Sequence, residues 1–367
     1  MTRVVVGMSG GVDSSVAAAL LKEQGYDVVG IMLRLWSESA GNIDADPALE
    51  NRCCSIESMA DARRVAAKLD IPFYVINVES PFQEHIVDYF YDEYLQGRTP
   101  NPCLRCNRHI RFTLLLERAM ALGADYLATG HYVRLDTDPV TGLHRLRRGL
   151  SLEKDQSYVL HVLRQEQLRH ALFPLGEYTK PQVRALAESL GLPVATKAES
   201  QEICFVAGGD YRGFIRRYAE SRGLASPQPG PIFDESGRRL GEHQGLAYYT
   251  VGQRKGLGLS TRQPVHVLRM DAASNALVVG SAEHLECGEF TVCETTFPSG
   301  SIPTEPFEAE IKVRYKASPA QGAVIPLPGG RARVKLLQPQ RAVTPGQAAV
   351  FYGGSEADVV LGGGLIE

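Results

Sequence analysis

The sequence predicts an α/β chain: a doubly wound parallel sheet, then a small mixed domain, then a C-terminal β-barrel. Three observations lead there. Apolar, β-branched runs at 4–6, 28–35, 73–78 and 126–132 alternate with helical periodicities, the pattern of parallel strands buried between helices. Beyond Cys204 the texture changes, and residues 224–264 are rich in Gly and Pro with short strand-like pieces. From about 281 polar and apolar residues alternate, as in a small barrel. The predicted domains are 1–205, 206–280 and 281–367.

The first element organises the rest. Val4-Val5-Val6 leads into Gly7-Met8-Ser9-Gly10-Gly11-Val12-Asp13-Ser14-Ser15, and Val16, Ala19 and Leu20 then begin a helical apolar face. A strand running through a Ser-Gly-Gly turn into a helix presents unpaired N–H groups and a positive dipole end to an anion. Gly10 and Gly11 let the backbone approach it. Ser9, Ser14 and Ser15 add hydroxyls, and Asp13 is suited to hold Mg2+ against phosphates. A plain βα turn with a capping serine is the alternative. The Gly-Lys-Ser/Thr ending of the common P-loop is missing. The run resembles instead the PP-loop of ATP-dependent adenylating enzymes, of the adenine nucleotide alpha hydrolase-like fold. That resemblance implies cleavage between the α and β phosphates of ATP and adenylation of an oxygen later displaced by a nucleophile.

Composition narrows the class. The chain has 367 residues, 44% of them hydrophobic, and a net charge of −3. No overall basic field advertises nucleic acid, so RNA contacts must come from local patches. No apolar run approaches the ~20 residues that span a bilayer, and Gly and Ser break the N-terminal Val run, which predicts no signal peptide. Seven cysteines without a dense framework predict a reducing cytoplasm with thiols doing chemistry.

In chain order, 28–35 predicts a second buried strand whose C-terminal end, near Leu33, faces the nucleotide. The acidic stretch 37–51 predicts a loop. Met59, Ala62, Val65, Ala66 and Leu69 share a helical face. Residues 73–78 predict a third strand, and 82–95 a helix with Phe82, Ile86, Tyr89 and Phe90 inward. The run 126–132 predicts a fourth strand ending at Thr129-Gly130-His131, where His131 is either a ligand contact or a satisfied loop histidine. Thr179-Lys180-Pro181, followed by Val183, Leu186, Ala187, Leu190 and Gly191, predicts a capped helix. Gly252-Gln253-Arg254-Lys255-Gly256-Leu257-Gly258 is a basic loop that also reads as a hairpin turn. Phe307, Ala309, Ile311, Val313 and Tyr315 share one strand face, with Glu308, Glu310, Lys312 and Arg314 on the other, and Tyr315 reads as core or surface.

Cys103 and Cys106 form a Cys-x-x-Cys behind Pro100-Asn101-Pro102, and Cys204 sits at the first domain boundary. Such a pair fits a redox couple, half a zinc site or catalytic thiols. No second pair completes a zinc site. Arg105 or Arg108 nearby favours a thiolate. Cys53, Cys54, Cys287 and Cys293 lack such context and read as structural or incidental.

These motifs, with Gly97-Arg98-Thr99, Lys154-Asp155-Gln156-Ser157-Tyr158, Ile203-Cys204-Phe205 and Pro345-Gly346-Gln347, occur in the order found in the bacterial tRNA-specific 2-thiouridylases (MnmA/TrmU type), which the chain resembles over essentially its full length. The resemblance implies an ATP- and Mg2+-dependent enzyme that adenylates the C2 oxygen of the wobble uridine in tRNAs for Lys, Glu and Gln. It implies a persulfide on Cys204, supplied by a cysteine-desulfurase relay. Cys106 then attacks that persulfide to release sulfide, or forms a disulfide with Cys204 as sulfur leaves. Gly7, Met8, Ser9, Gly10, Gly11, Val12, Asp13, Ser14, Leu33 and Gly130 match the ATP site. Asn101, Pro102 and Cys103 match the segment touching the flipped base. His131, Lys154, Asp155, Gln156, Arg314, Tyr315 and Gln347 match tRNA contacts, although Lys154-Asp155-Gln156 by itself reads as a solvated turn. One departure matters: the family pattern has Asp where this chain has Cys103. Cys103, Cys106 and Cys204 therefore also fit a [4Fe–4S] cluster with one open iron. Two further readings stay open. Another PP-loop ligase or amidating synthetase needs no pair of distant catalytic cysteines. A nucleotide-binding RNA module binds ATP without tRNA-dependent pyrophosphate release.

Overall fold

The computed structural model describes residues 1–38, 55–199 and 203–367. The stretch around Cys53 and Cys54, most of the predicted acidic loop and Ser200-Gln201-Glu202 lie outside the described residues. Strands β1 (Arg3–Gly7), β2 (Asp27–Arg34), β3 (Phe73–Asn77) and β4 (Tyr126–Ala128) form the predicted parallel sheet. After β5 (Val133–Thr137) and β6 (His144–Arg148), the two-residue β7 (Ala171–Leu172) completes it, in the order β3-β2-β1-β4-β7. The chain builds outward from β1 to β3, then reverses through β4. The crevice beyond the carboxyl ends of β1 and β4 is thus a topological switch point, where ligands of such sheets bind.

Both faces are covered, which is why these strands are apolar throughout. Val4, Val6 and Met32 pack under α1 (Val12–Glu23), α2 (Ile56–Lys68) and, further along, α5 (Lys180–Ser189). Before α5 the chain forms α3 over 79–95 and α4 over 102–121, each with a wide-turned π segment in its middle. Val5, Val29 and Leu127 pack against Phe112 and Leu115 of α4. That core continues into Ala348, Val350 and Tyr352, so the first sheet and the barrel share it.

Helix α6 (Tyr211–Arg222) precedes the mixed sheet of β8 (Gly230–Asp234), β9 (Arg239–His243), β10 (His266–Asp271) and β11 (Ala276–Gly280), ordered β10-β11-β8-β9. The barrel follows: β12 (Glu286–Thr296), β13 (Phe307–Lys312), β14 (Ala320–Leu327), β15 (Arg331–Arg341), β16 (Ala348–Gly353) and β17 (Val359–Ile366). It closes where β12 pairs with β17. Ala309, Ile311 and Val313 point into it as the alternation predicts. The strand stops at Lys312, however, and Tyr315 sits in the turn beyond, 37% exposed, rather than in the core.

The hairpin β5–β6 is not evident from the sequence pattern. It leaves the first sheet and joins the barrel through one pair, Arg147 opposite Val359. Side chains hold it: Arg134 and Arg147 both reach Asp358, and Arg148 pairs with Glu310 while its guanidinium lies 3.8 Å from the centre of the Tyr352 ring. Partly buried, multiply bonded arginine pairs of this kind fix geometry more than they add stability.

Candidate active site

The Ser-Gly-Gly loop bridges β1 and α1 as the sequence predicts. Gly11 caps α1 in an extended conformation without a side-chain cap, so the first N–H groups of the helix keep no side-chain acceptor of their own. Gly10 has φ +70°, and a Cβ there would meet the Ser58 carbonyl oxygen at 2.1 Å. Ser14 Oγ accepts from Ser9 N at 3.1 Å and Ser15 Oγ donates to the Gly11 carbonyl at 2.8 Å, which holds the loop in shape. Gly130, at the end of β4, lies so close that its Cβ would stand 2.8 Å from Asp13 C and Ser14 N. A Gly130→Ala variant is therefore expected to push the first turn of α1 away, raise the ATP KM by about tenfold, ~1.4 kcal/mol, and lower the melting temperature, since the overlap is with backbone atoms. Titrating ATP in a pyrophosphate-release assay checks this. Leu33 stands at the end of β2, partly buried between two cores.

The most informative feature is a chain of charges that no motif announces. The Asp13 carboxylate accepts from Lys180 Nζ at 2.7 and 2.9 Å and from the Tyr132 hydroxyl at 2.7 Å. Lys180 also reaches Glu199 at 3.2 Å, and Glu199 accepts from Lys154 Nζ at 2.8 Å. A second lysine, Lys197, donates to the Gly10 carbonyl at 3.1 Å and to Asp61 at 2.6 Å. Lys180 is positioned by its helix cap, since Gln182 Oε1 accepts from both Thr179 N and Thr179 Oγ1 at 2.8 Å. The sequence marks that cap but not the role of the lysine, because the ion pair closes over 167 residues.

Burial works against the ionised form of Glu199, but hydrogen bonds from Lys154 and Lys180 outweigh it and hold the carboxyl below its ordinary 4.5. Its folded pKa is depressed, so its contribution to stability is present above about pH 4.5 and is lost as the pH falls through the folded value. A Glu199→Gln variant is expected to flatten the acid limb of melting temperature against pH below roughly 4.5, a change visible by thermal denaturation.

Tyr315 stands in the turn after β13. Burial, the charge of Asp155 and weaker effects of Cys103 and Glu199 raise its hydroxyl pKa, while Lys154 opposes them. The ring stacks edge-on against Tyr158. Asp155 is 2% exposed and accepts from Gly149 N, Ser157 N and Ser157 Oγ. Gln156 Oε1 accepts from Tyr132 N at 2.9 Å. The segment 154–156 is thus not the solvated turn its composition suggests. His131 is buried too: its Nε2 lies 3.1 Å from Arg111 Nη1 and its Nδ1 2.7 Å from Thr129 Oγ1. Arginine only donates, so Nε2 accepts and Nδ1 carries the proton. Burial, with help from Arg111, keeps the pKa of this ring well below 6.5. Arg314 donates to the Arg341 carbonyl on the barrel surface.

Three domains meet at 97–103. Thr99 N donates to the Pro345 carbonyl, Gln347 Nε2 donates to the Thr99 carbonyl at 2.9 Å, and Thr99 Oγ1 donates to Thr250 Oγ1. Asn101 caps α4 by accepting from Cys103 N at 3.1 Å, with Pro102 at the first helical position. Cys103 is exposed at this end, whereas Cys106 is buried one turn on. Cys106 shares an apolar cluster with Cys204, among Phe82, Phe90, Phe205 and Phe214. The two thiols come from places 98 positions apart in sequence. Arg105 and Arg108 both pair with Glu294 of β12, which shares the positive charge that proximity in sequence offered to a thiolate. Among the described residues no three His, Cys, Asp or Glu side chains converge to hold a metal ion, so Cys103, Cys106 and Cys204 are not a ready ligand set. Cys287 and Cys293 lie on β12. Among the described residues no helix is long and apolar enough to cross a membrane.

The chain matches the family described as tRNA methyl transferase HUP domain over residues 2–208, the tRNA methyl transferase PRC-barrel domain over 214–281 and the aminomethyltransferase beta-barrel domain over 287–366. Proteins named tRNA-specific 2-thiouridylase MnmA are similar over the whole length. The one from Moorella thermoacetica is 51% identical over 364 residues, 99% of each chain. MnmA 1 from Caldanaerobacter subterraneus subsp. tengcongensis is 50% identical over 100% of this chain and 98% of that one. Likeness to solved structures is weak: a U34-tRNA thiolase from Methanococcus maripaludis is 19% identical, with TM-score 0.33, over 60% of this chain and 71% of that one. On the full-length identity the chain belongs to the tRNA-specific 2-thiouridylase family.

Proposed function

We propose that this chain is an ATP-dependent tRNA-uridine 2-sulfurtransferase acting on the wobble uridine of tRNAs for Lys, Glu and Gln in the cytoplasm. Residues 1–205 serve as the catalytic unit, 206–280 as a central domain and 281–367 as a tRNA-binding barrel. The observation that carries the reading is convergence: the Asp13–Lys180–Glu199–Lys154 chain runs from the phosphate loop to the segment 154–156, and Cys106 and Cys204 belong to one apolar cluster.

In this reading ATP lies across residues 7–14, with its α-phosphate open to the C2 oxygen of a base splayed onto Asn101, Pro102 and Cys103. Attack by that oxygen forms the O–P bond and expels pyrophosphate, whose growing charge Lys180 balances at the loop mouth, while Lys197 holds the Gly10 carbonyl and Asp61. Asp13 is a hard oxygen donor beside the phosphate loop and would hold Mg2+ once Lys180 turns from its carboxylate to the phosphates; the ion would supply charge neutralisation there. Cys106 then attacks the inner sulfur of a Cys204 persulfide. A Cys106–Cys204 disulfide forms, hydrosulfide leaves and adds to C2, and AMP departs with the oxygen. An external dithiol reduces the disulfide, and a cysteine desulfurase or its relay reloads Cys204.

The test is incubation with unmodified tRNA, ATP, Mg2+ and a persulfide source, reading the gain of one sulfur in place of one oxygen by nucleoside mass spectrometry. Anaerobic purification with iron and acid-labile sulfide assays separates the two sulfur routes: full activity in iron-free protein supports the persulfide, and activity that tracks iron content supports a cluster.

A further inference from the structure

We infer that the groove between α6 and the loop 252–258 holds the sugar-phosphate backbone of the tRNA next to the target nucleotide, a site that rests on the tRNA reading above. The groove has a volume of about 490 Å³, the scale of a nucleotide site rather than of a lone ion. Arg212 and Arg216 stand one turn apart on the face of α6 that lines it. The opposite face of the same helix, with Phe214, Ile215 and Tyr218, packs into the cluster that holds Cys106 and Cys204. A backbone lying in the groove therefore sits on the other side of α6 from that cluster.

The far wall is rigid and bare. Leu257 is buried in the central core, and Gly252 N and Gln253 O bond to Val267, which fixes a loop whose tip exposes Arg254 and Lys255. Gly258 has φ +68°, and nothing lies within 4 Å of the position a Cβ would take, so a phosphate can reach the main chain. Two carboxylates stand at the rim, each beside an arginine: Asp210 caps α6 near Arg217, and Glu242 pairs with Arg239. Half-buried Tyr248 lines the groove and suits a ribose or base better than a small anion, while Tyr249 is buried beneath the Arg212 guanidinium. The next residue, Thr250, touches Thr99, two positions before Asn101. The chain that lines the groove thus passes next to the segment assigned to the target base.

Arg216→Glu on one wall and Lys255→Glu on the other test this independently of each other's folding. Each is expected to raise the Kd for unmodified tRNA several-fold. Each should also flatten the slope of log Kobs against log salt by roughly 0.7–0.9 for every phosphate that the variant no longer neutralises, with ATP binding and melting temperature unchanged. Unchanged Kd and slope in both variants overturn the proposal. Unchanged tRNA binding with slowed sulfur transfer from a protein persulfide also overturns it, in favour of a protein docking there. Absence of tRNA binding by the wild-type protein overturns the underlying reading as well, and is distinguishable because it precedes any substitution.

Discussion

Cys204→Ser is expected to abolish thiolation driven by a persulfide donor, a loss of at least about 10³-fold, while tRNA-dependent pyrophosphate release persists. The argument is one of roles. Adenylation uses the phosphate loop and the lysines around it, and needs no thiol. Sulfur delivery needs a carrier and a group to cleave the carrier's S–S bond, and Cys106 and Cys204 belong to one apolar cluster. Serine is nearly isosteric but cannot carry a persulfide, so the defect should sit in sulfur transfer alone. Excess inorganic sulfide bypasses the carrier and should restore much of the Cys204→Ser activity. Cys106→Ser should behave differently with a persulfide donor: Cys204 still loads, and the persulfide accumulates and is visible by intact mass. If Cys106→Ser thiolates at the wild-type rate, attack by Cys106 is not part of the reaction. Cys103→Ala gives the matching control. It stands exposed outside the cluster, so a large loss there would move the chemistry toward a three-thiol arrangement.

How much of this was legible in the sequence follows from how local each feature is. The parallel sheet and the phosphate loop are written in short windows: Val4–Val6 are buried on both sides and say so, and Gly10, at φ +70°, marks a turn that few other residues can make. The barrel showed in the alternation of Ala309, Ile311 and Val313. Tyr315 misled because alternation carries no signal of where a strand stops, and β13 ends three residues earlier. The solvated-turn reading of 154–156 failed for a related reason: Asp155 is polar but buried, satisfied by Gly149 and Ser157, and composition cannot distinguish a solvated carboxylate from a saturated one. The hairpin β5–β6 was invisible because a single backbone pair joins it to β17, the rest being arginine contacts with Asp358 and Glu310 far along the chain. Lys180, Lys197 and Glu199 were missed in the same way. Thr179-Lys180-Pro181 advertises a helix start, and that signal is true, but the partner of the lysine is Asp13.

That partner makes Lys180→Met the sharpest test of the phosphate site. The lysine side chain is only 9% exposed and lies between two carboxylates, Asp13 and Glu199. Removing it leaves both without their shared cation, so some destabilisation is expected, and a structural role alone would end there. The phosphate reading predicts more. Charge on pyrophosphate grows as the α–β bond breaks, and a cation fixed at the loop mouth acts on that growing charge more than on bound ATP. The kcat of pyrophosphate release should then fall by about 10²–10³-fold, the usual effect of losing one preorganised donor to a developing anion, while the ATP KM changes by only a few-fold. Lys180→Arg keeps the charge but not its point geometry, and should recover stability before it recovers rate. Lys197→Met offers the contrast, since that lysine holds the Gly10 carbonyl and Asp61. Its loss should raise the ATP KM by loosening the loop. If Lys180→Met lowers the melting temperature but turns over normally, Lys180 is a strut for Asp13 and the pyrophosphate charge is balanced elsewhere.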